Sequence, residues 1–287
     1  FHKTMSSYFN SKAKLFLKNL NESKKKNKLA IISLDDKWGV KLIKLIGQKI
    51  NTVTYSTKNK KADFFMEKFE EKNLKSDLVI KNGNKRYKIE TRLFGEHNFQ
   101  NILASFSYSI IKGLDILELK KRIKTYNGAT GRLERVRNTN LEIFIDYAHT
   151  PDALKKSITS LKKKFSSKKI IVLFGCGGNR DVGKRKKMGA IAEKFADEII
   201  ITSDNPRFED PRLIINQNSE GFKIVTRKTK KIIVDRKEAI NWAVKNMEKN
   251  KVLLVAGKGH EDYQEIRGGK FKFSDYDEVE KCLKMIN

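Results

Sequence analysis

The chain has too few cysteines and too short apolar runs for two classes of protein. It contains only two cysteines, Cys176 and Cys282, which are far apart and lack the spacing of metal-binding pairs. A disulfide framework and a cysteine-based zinc site are therefore not expected, and a reducing, cytoplasmic setting fits this composition. No apolar run approaches the roughly 18 residues that a membrane-spanning helix needs. We therefore expect no membrane segment.

The sequence also lacks two patterns that are typical of nucleotide-binding and nucleic-acid-binding proteins. No Gly-x-x-x-x-Gly-Lys-Thr/Ser motif occurs, so no phosphate-cradling loop of that class is predicted within these residues. The formal net charge of +28 is compatible with a nucleic-acid-binding module. However, lysine is spread over the whole chain, and no basic stripe alternates with aromatic residues that could stack on bases. We favour solvated lysine surfaces and predict no nucleic-acid partner.

With 287 residues, of which 39% are hydrophobic, the chain is long enough for about two domains. The first part mixes helices and short strands. Helices are predicted over 8–20, from Asp35 to about residue 50, and from Gly95 to about residue 111. Strands are predicted over 29–34, 52–55, 77–80 and 85–91, the last two joined as a hairpin across 82–84.

From residue 141 the pattern becomes a regular alternation of strands and helices. Apolar strands are predicted near 141–145, 170–174, 198–202, 231–234 and 252–256, and helices near 151–164, 185–195, 211–221 and 236–249. This order is typical of a parallel sheet with helices on both faces. The fold class is therefore α/β, and the domain boundary is placed near 134–138.

Polar clusters follow three of these predicted strands. They are Gly175-Cys-Gly-Gly-Asn-Arg-Asp181, Asp204-Asn-Pro-Arg207 and Gly257-Lys-Gly-His-Glu261. The carboxyl ends of parallel strands share one edge, where open α/β sheets bind ligands. Arg180, Asn205, Arg207 and Glu261 could converge there on a zwitterion such as an amino acid. Ordinary glycine-rich or Asp-Pro turns are the alternative for any one cluster.

Six ordered motifs carry a resemblance to a known family. They include the three clusters above together with Gly95-Glu-His-Asn-Phe-Gln-Asn101, Gly131-Arg-Leu-Glu134 and Asp146-Tyr-Ala-His-Thr-Pro-Asp-Ala-Leu154. On these residues the chain resembles the Mur ligases along essentially its whole length. The Asp-Asn-Pro-Arg form is similar to that of the members that add meso-diaminopimelate.

The resemblance implies a domain organisation. Residues 1–135 would be the C-terminal part of the family's central ATP-binding domain, and residues 136–287 its Rossmann-like C-terminal domain for the incoming amino acid. The chain, which starts Phe-His-Lys-Thr-Met, would then begin within the central domain. A fragment of this kind is expected to be inactive by itself. Residues 2–16 would follow the family's metal-binding region.

The resemblance also implies roles for single residues, with ATP and Mg²⁺ as cofactors. Lys12 would be carbamylated and help to hold Mg²⁺. His97 and Asn98 would lie near the nucleotide, Arg132 would contact its phosphates and Asp146 its ribose. Diaminopimelate would be bound by Arg180, Asp204, Asn205, Pro206, Arg207, Gly257 and Glu261.

The implied reaction joins meso-diaminopimelate to UDP-N-acetylmuramoyl-L-alanyl-D-glutamate in peptidoglycan biosynthesis. The terminal carboxylate of the dipeptide would be phosphorylated and then attacked by the amine. A sister ligase that adds L-lysine is the main alternative. Arg207 favours diaminopimelate, because a guanidinium suits a distal carboxylate that lysine lacks. A monomeric, cytoplasmic enzyme without a membrane partner is expected.

Overall fold

The computed structural model describes residues 4–72, 75–223 and 229–286. The chain divides into two compact units, Phe1–Tyr126 and Asn127–Asn287. Residues 1–3, where the predicted metal-flanking stretch begins, lie outside the described residues.

The first unit is built on a mixed sheet. Its strands lie in the order β1 (Leu29–Ser33), β2 (Asn51–Ser56), β3 (Phe64–Glu71), β4 (Ser76–Asn82) and β5 (Lys85–Thr91). The first three are parallel, and β3, β4 and β5 pair antiparallel. The hairpin predicted across 82–84 is confirmed, with Asn82 opposite Lys85 and Gly83 at φ +55°. β3 has no counterpart among the predicted strands, because its exposed residues 67–70 are mostly charged and break the apolar pattern.

The helices of the first unit are α1 (Met5–Lys14), α2 (Lys37–Ile46), α3 (Glu96–Ile111) and α4 (Ile116–Thr125). The predicted helix over 8–20 starts earlier and continues after α1 as a π-helical segment, Leu15–Leu20. Asp36 caps α2 by accepting hydrogen bonds from two backbone amides. Buried apolar residues of α3 and α4 pack with those of β2 to β5, whereas those of α2 pack with β1.

The second unit contains a sheet of strands in the order β10-β9-β8-β11-β7-β6. In chain order these are β6 (Glu134–Arg135), β7 (Glu142–Asp146), β8 (Lys169–Phe174), β9 (Glu198–Ile201), β10 (Thr229–Ile232) and β11 (Lys251–Ala256). All described pairs are parallel except β6 with β7. The prediction of a mostly parallel sheet in this part of the chain is confirmed.

Helices cover both faces of this sheet. They are α5 (Pro151–Lys164), α6 (Gly183–Phe195), α7 (Pro211–Ser219), α8 (Arg236–Lys245) and α9 (Asp275–Ile286). Alternate residues of the central strands, such as Ile143, Leu173 and Val255, form one core with α8 and α9. Their neighbours along the same strands are also buried, which places the other helices over the opposite face.

A hairpin that the sequence analysis did not predict follows β11. Its strands are β12 (Tyr263–Ile266) and β13 (Gly269–Lys272), paired antiparallel. The two compact units divide after Tyr126. Residues 127–135 join the second unit because β6 pairs with β7.

Candidate functional site

The carboxyl ends of β9, β8 and β11 meet at one edge of the second unit. Asp204 follows β9, Gly175 follows β8 and Gly257 follows β11. A Cβ on Gly175 would lie 2.5 Å from the carbonyl oxygen of Thr202, and one on Gly257, which has φ +121°, would lie 2.8 Å from the Asp204 carboxylate. Only glycine fits this close backbone approach. The expectation that the three polar clusters share one edge is therefore met by the fold.

Asn205, Lys258 and Glu261 form a hydrogen-bonded network at this edge. The Lys258 ammonium, which is fully buried, donates to Asn205 Oδ1 and to Glu261 Oε2, each at 3.1 Å. Asn205 Nδ2 donates to the same Glu261 oxygen at 2.9 Å, and the backbone N–H of Glu265 donates to Asn205 Oδ1. The network fixes both the Asn205 amide and the Glu261 carboxylate before any ligand binds.

Asp204 lies beneath this network and is almost completely buried. Burial raises the pKa of its carboxyl group, while the charges of Arg236 and Lys258 act in the opposite direction. Gln264 donates to the backbone carbonyl of Asp204 at 2.6 Å. The neighbouring Asn205 is buried to a similar degree, and contact of Asp204 with a ligand stays a prediction.

Arg207 is held in one orientation by two partners. Its Nε donates to Glu265 Oε2 at 2.8 Å, and its Nη1 donates to the carbonyl oxygen of Gly178 at 2.9 Å. Its backbone has φ +54°, an uncommon conformation for a residue other than glycine. Two nearby carboxylates in the sequence could have paired with Arg207 at the surface, but both are engaged elsewhere: Glu209 pairs with Arg185, and Asp210 caps α7. A guanidinium carries five N–H protons, so further protons on Nη1 and Nη2 take part in neither of these contacts.

A second cation flanks the same point. From the position that a Cβ on Gly177 would occupy, Arg207 Nη1 is 2.9 Å away and Arg180 Cγ is 3.8 Å away. Arg180 is exposed, whereas Pro206, which directly precedes Arg207, is buried. Arg180 and Arg207 thus border one site from the ends of neighbouring strands. This arrangement provides cationic and carboxylate groups at a single edge, as an amino-acid ligand requires.

A further cluster surrounds Asp146 at the end of β7. The Arg132 guanidinium lies over the Tyr147 ring, 4.8 Å from its centroid. Gly131 approaches the backbone of Gly259 so closely that a Cβ on Gly131 would lie 2.3 Å from the Gly259 carbonyl carbon. Tyr147 N donates to the Gly131 carbonyl at 2.7 Å. The structure therefore brings Arg132 and Asp146 close to the loop that carries Gly257.

The Asp146 carboxylate is engaged by the protein itself. Its Oδ2 accepts from the backbone N–H of Leu133 at 2.6 Å, and its Oδ1 accepts from the Ser157 hydroxyl at 3.3 Å. Only 6% of the residue is exposed. The contact of Asp146 with the ribose stays a prediction. It requires that one of the two carboxylate oxygens accepts a hydrogen bond from the ribose in addition to those from the protein.

Burial gives Asp146 an unusual titration, which is testable. It raises the pKa of this carboxyl from 3.8 to about 6. A raised pKa means that ionisation disfavours the fold, so the carboxyl's contribution to stability is present below pH 3.8 and lost as the pH rises through about 6. We expect carbon-13 NMR to show one aspartate titrating near pH 6 that is missing in Asp146→Asn. A normal aspartate titration for this residue would contradict the assignment.

The predicted site residues of the first unit lie on α1 and at the start of α3. Lys12 is exposed, with its Nζ 5.7 Å from the centroid of the Tyr8 ring. Asn98 is buried and donates to the carbonyl oxygen of Phe94 at 2.9 Å, while His97 is half-buried in the first turn of α3. Among the residues that the structure describes, no group of three or more His, Cys, Asp and Glu side chains is placed to hold a metal ion.

Comparison with known proteins gives one consistent result. Residues 1–108 match the model of the Mur ligase middle domain, and residues 131–259 match that of the Mur ligase glutamate ligase domain. The chain belongs to the Mur ligase family. Its α/β fold agrees with this membership.

Curated relatives in the Mur ligase family are similar over nearly the whole chain. The UDP-N-acetylmuramoyl-L-alanyl-D-glutamate–2,6-diaminopimelate ligase of Aquifex aeolicus (strain VF5) is 40% identical over 99% of the chain and 56% of that relative. The ligase of the same name from Lawsonia intracellularis (strain PHE/MN1-00) is 40% identical over 99% of the chain and 58% of that relative. The chain thus spans little more than half the length of these relatives.

Solved structures agree with the Mur ligase assignment. A structure of UDP-N-acetylmuramoyl-L-alanyl-D-glutamate–2,6-diaminopimelate ligase matches with a TM-score of 0.64 and 32% identity, covering 100% of this chain and 58% of that one. A folylpolyglutamate synthase from Mycobacterium tuberculosis, complexed with ADP and AMPPCP, matches with a TM-score of 0.70 but 18% identity, covering 90% and 58% of the two chains. The latter likeness concerns the fold alone.

None of the described helices is both long and apolar enough to cross a membrane.

Sequence reasoning missed several residues that organise this Mur ligase edge. Lys258 lies within the motif 257–261. A lysine between two glycines and close to Glu261 could have indicated an ion pair at the site. Arg236 and Glu265 gave no such signal, because their partners lie on distant segments. Arg185 is buried and donates to Glu209 and to the Gly177 carbonyl, which fixes the glycine-rich loop after β8.

Proposed function

We propose that this chain is part of an ATP-dependent ligase that adds meso-diaminopimelate to UDP-N-acetylmuramoyl-L-alanyl-D-glutamate in peptidoglycan biosynthesis. The observation that carries the proposal is the grouping of Arg180, Arg207, Asn205 and Glu261 at the carboxyl edge of β8, β9 and β11. The names of the similar proteins support the same substrates.

Each end of the amino acid has a suitable partner at this edge. The protons of Arg207 that bond neither Glu265 nor Gly178 would bind a distal carboxylate, and Arg180 would add a second positive charge. Glu261 uses Oε2 for Lys258 and Asn205, which leaves Oε1 for an ammonium group. Gly257 would contact the ligand through its backbone.

The same proposal assigns residues to ATP and magnesium. Arg132 would bind phosphates of ATP, while His97 and Asn98 would lie near the nucleotide and Asp146 near its ribose. Lys12 fits a magnesium site only as a carbamate, because an ammonium cannot ligate a cation whereas carbamate oxygens suit hard Mg²⁺. Its exposure makes the amine accessible to carbon dioxide. The chemistry that Mg²⁺ supplies when bound is neutralisation of charge on the transferred phosphoryl group.

The proposed reaction has two chemical steps. The terminal carboxylate of the dipeptide is first phosphorylated at the expense of ATP, which leaves ADP. The amine of diaminopimelate then attacks the acyl carbon and loses a proton, and inorganic phosphate departs as the amide bond forms. In this account the residues of the edge hold the amine in position for attack, since orientation alone lowers such barriers by several kcal/mol, roughly 7–11 at best.

Two other functions remain as alternatives. An L-lysine-adding ligase would leave Arg180 and Arg207 without a distal carboxylate to bind. A nucleic-acid-binding module would show steep salt dependence, and the ordered motifs do not favour it. We propose a monomeric cytoplasmic enzyme that needs neither nucleic acid nor a membrane.

The proposed activity is tested with the chain alone and with a chimeric ligase. The chimeric ligase consists of these 287 residues joined to the part of the Aquifex aeolicus relative that this chain does not cover. We expect no phosphate release by the chain alone, because its sequence lacks the Gly-x-x-x-x-Gly-Lys-Thr/Ser motif of phosphate-cradling loops. The chimeric ligase should release phosphate only when both the dipeptide substrate and meso-diaminopimelate are present.

Two results would contradict the proposal. Phosphate release by the chain alone that depends on ATP and diaminopimelate would refute its expected inactivity. Turnover of the chimeric ligase with L-lysine in place of meso-diaminopimelate would assign it to the sister activity.

A further inference from the structure

One fully buried ion pair contacts both strand ends that lead into the candidate site. The guanidinium of Arg236, at the start of α8, donates to the two carboxylate oxygens of Asp275 at 2.7 and 2.8 Å. It also donates through Nη1 to the carbonyl oxygen of Ser203 at 3.2 Å and through Nη2 to that of Ala256 at 3.1 Å. Both side chains are 0% exposed.

These two carbonyl groups lie at the ends of strands that are not neighbours: Ser203 follows β9, and Ala256 is the last residue of β11. In the sheet, β8 lies between β9 and β11, so no backbone ladder joins the last residues of β9 to those of β11. Ser203 directly precedes Asp204, and Ala256 directly precedes Gly257. A single guanidinium therefore connects the two turns that supply Asn205, Arg207 and Glu261.

Stability alone is a poor explanation for this pair. Taking two charges out of water costs several kcal/mol per ion, and replacing a buried pair with apolar residues of similar size is often neutral or stabilising. Apolar side chains cannot, however, donate hydrogen bonds to two carbonyl oxygens. The arrangement thus contributes a fixed geometry that a purely apolar core would lack.

We propose that Arg236, oriented by Asp275, is a positioning residue for the amino-acid site. It fixes the end of β9 relative to the end of β11 and thereby sets the spacing between Arg207 and Glu261, which bind opposite ends of the ligand. The ligand in this inference rests on the proposed function. The connection between the strand ends does not depend on it.

The test compares two double variants of the 287-residue chain. Arg236→Met with Asp275→Leu removes the connection at the carboxyl ends of β9 and β11. The matched control, Lys251→Met with Glu198→Leu, removes an ion pair that joins the opposite ends of the same two strands at 3.3 Å. Hydrogen exchange of peptides from 203–208 and 256–262, melting temperature and meso-diaminopimelate affinity are measured for both.

The Arg236 double variant should remain folded, with amide exchange in the two site peptides accelerated about tenfold or more and diaminopimelate affinity reduced by about the same factor, as misplacement of binding groups predicts. The control should leave both properties unchanged. Unchanged exchange and affinity in a folded Arg236 double variant would overturn the proposal.

A second variant keeps the test decisive if the first does not fold. Arg236→Lys retains a positive charge for Asp275 but lacks the fork that reaches both carbonyl groups. It should show the same local acceleration of exchange, and normal exchange would contradict the proposal. Failure of both variants to fold would assign the pair to global stability and would also contradict it. A wild-type chain that does not bind diaminopimelate would count against the proposed function, while the exchange result would still decide the positioning role.

Discussion

Replacing Arg207 with alanine is expected to raise the Michaelis constant of the chimeric ligase for meso-diaminopimelate by about thirtyfold or more. The loss of a cation facing a carboxylate in a partly buried site costs roughly 2–5 kcal/mol. The side chain of Arg207 is only 15% exposed, so solvent compensates poorly. The Glu265 carboxylate, its present partner, would then face the ligand's carboxylate without a cation between them.

Arg207→Lys should recover little of this loss. A lysine cannot contact Glu265, the Gly178 carbonyl and a ligand carboxylate together, because it lacks the planar fork. Arg212→Ala, at an exposed position on the neighbouring α7, serves as the control for a general loss of positive charge. Normal Michaelis constants in both Arg207 variants would mean that this turn does not bind the amino acid.

Replacing Lys12 with alanine is expected to lower turnover of the chimeric ligase by about a thousandfold or more. Metal-assisted neutralisation of phosphoryl charge supplies several kcal/mol, and each 1.4 kcal/mol is about a factor of ten in rate. Added bicarbonate should not restore activity, because the variant has no amine to carbamylate. A carbamate signal from ¹³C-labelled bicarbonate should be present in the wild type and absent in Lys12→Ala.

The simpler reading of Lys12 is an exposed helix lysine that contacts the Tyr8 ring. Lys14→Ala, an exposed position on the same helix, controls for loss of surface charge there. Turnover of Lys12→Ala close to that of Lys14→Ala would support the simpler reading and refute the carbamate.

Local signals in the sequence were sufficient to predict the edge of the second unit. The apolar runs that become β8, β9 and β11 end in glycines or polar residues, and parallel strands necessarily bring such ends together. The predicted hairpin across 82–84 and the start of α3 after Gly95 also depended on local chemistry. In these places a residue's neighbours in sequence determine its conformation.

Contacts between distant segments could not be read in the same way. Arg207 and Glu265 meet only because β12 runs beside the 204–207 turn, and the short, charged 263–272 segment gave no strand signal. Arg236 and Asp275 lie on different helices, and charged residues are ordinarily exposed. No pattern in the sequence therefore predicted that both would be completely buried.

The central claim is that the edge formed by the ends of β8, β9 and β11 binds meso-diaminopimelate, and an NMR titration of the ¹⁵N-labelled chain tests it most directly. Adding meso-diaminopimelate should shift the amide signals of residues within 177–180, 204–207 and 257–261, and the shifts should saturate. L-lysine at the same concentrations should leave these amides unshifted. Shifts confined to other parts of the chain, or equal responses to the two amino acids, would contradict the account.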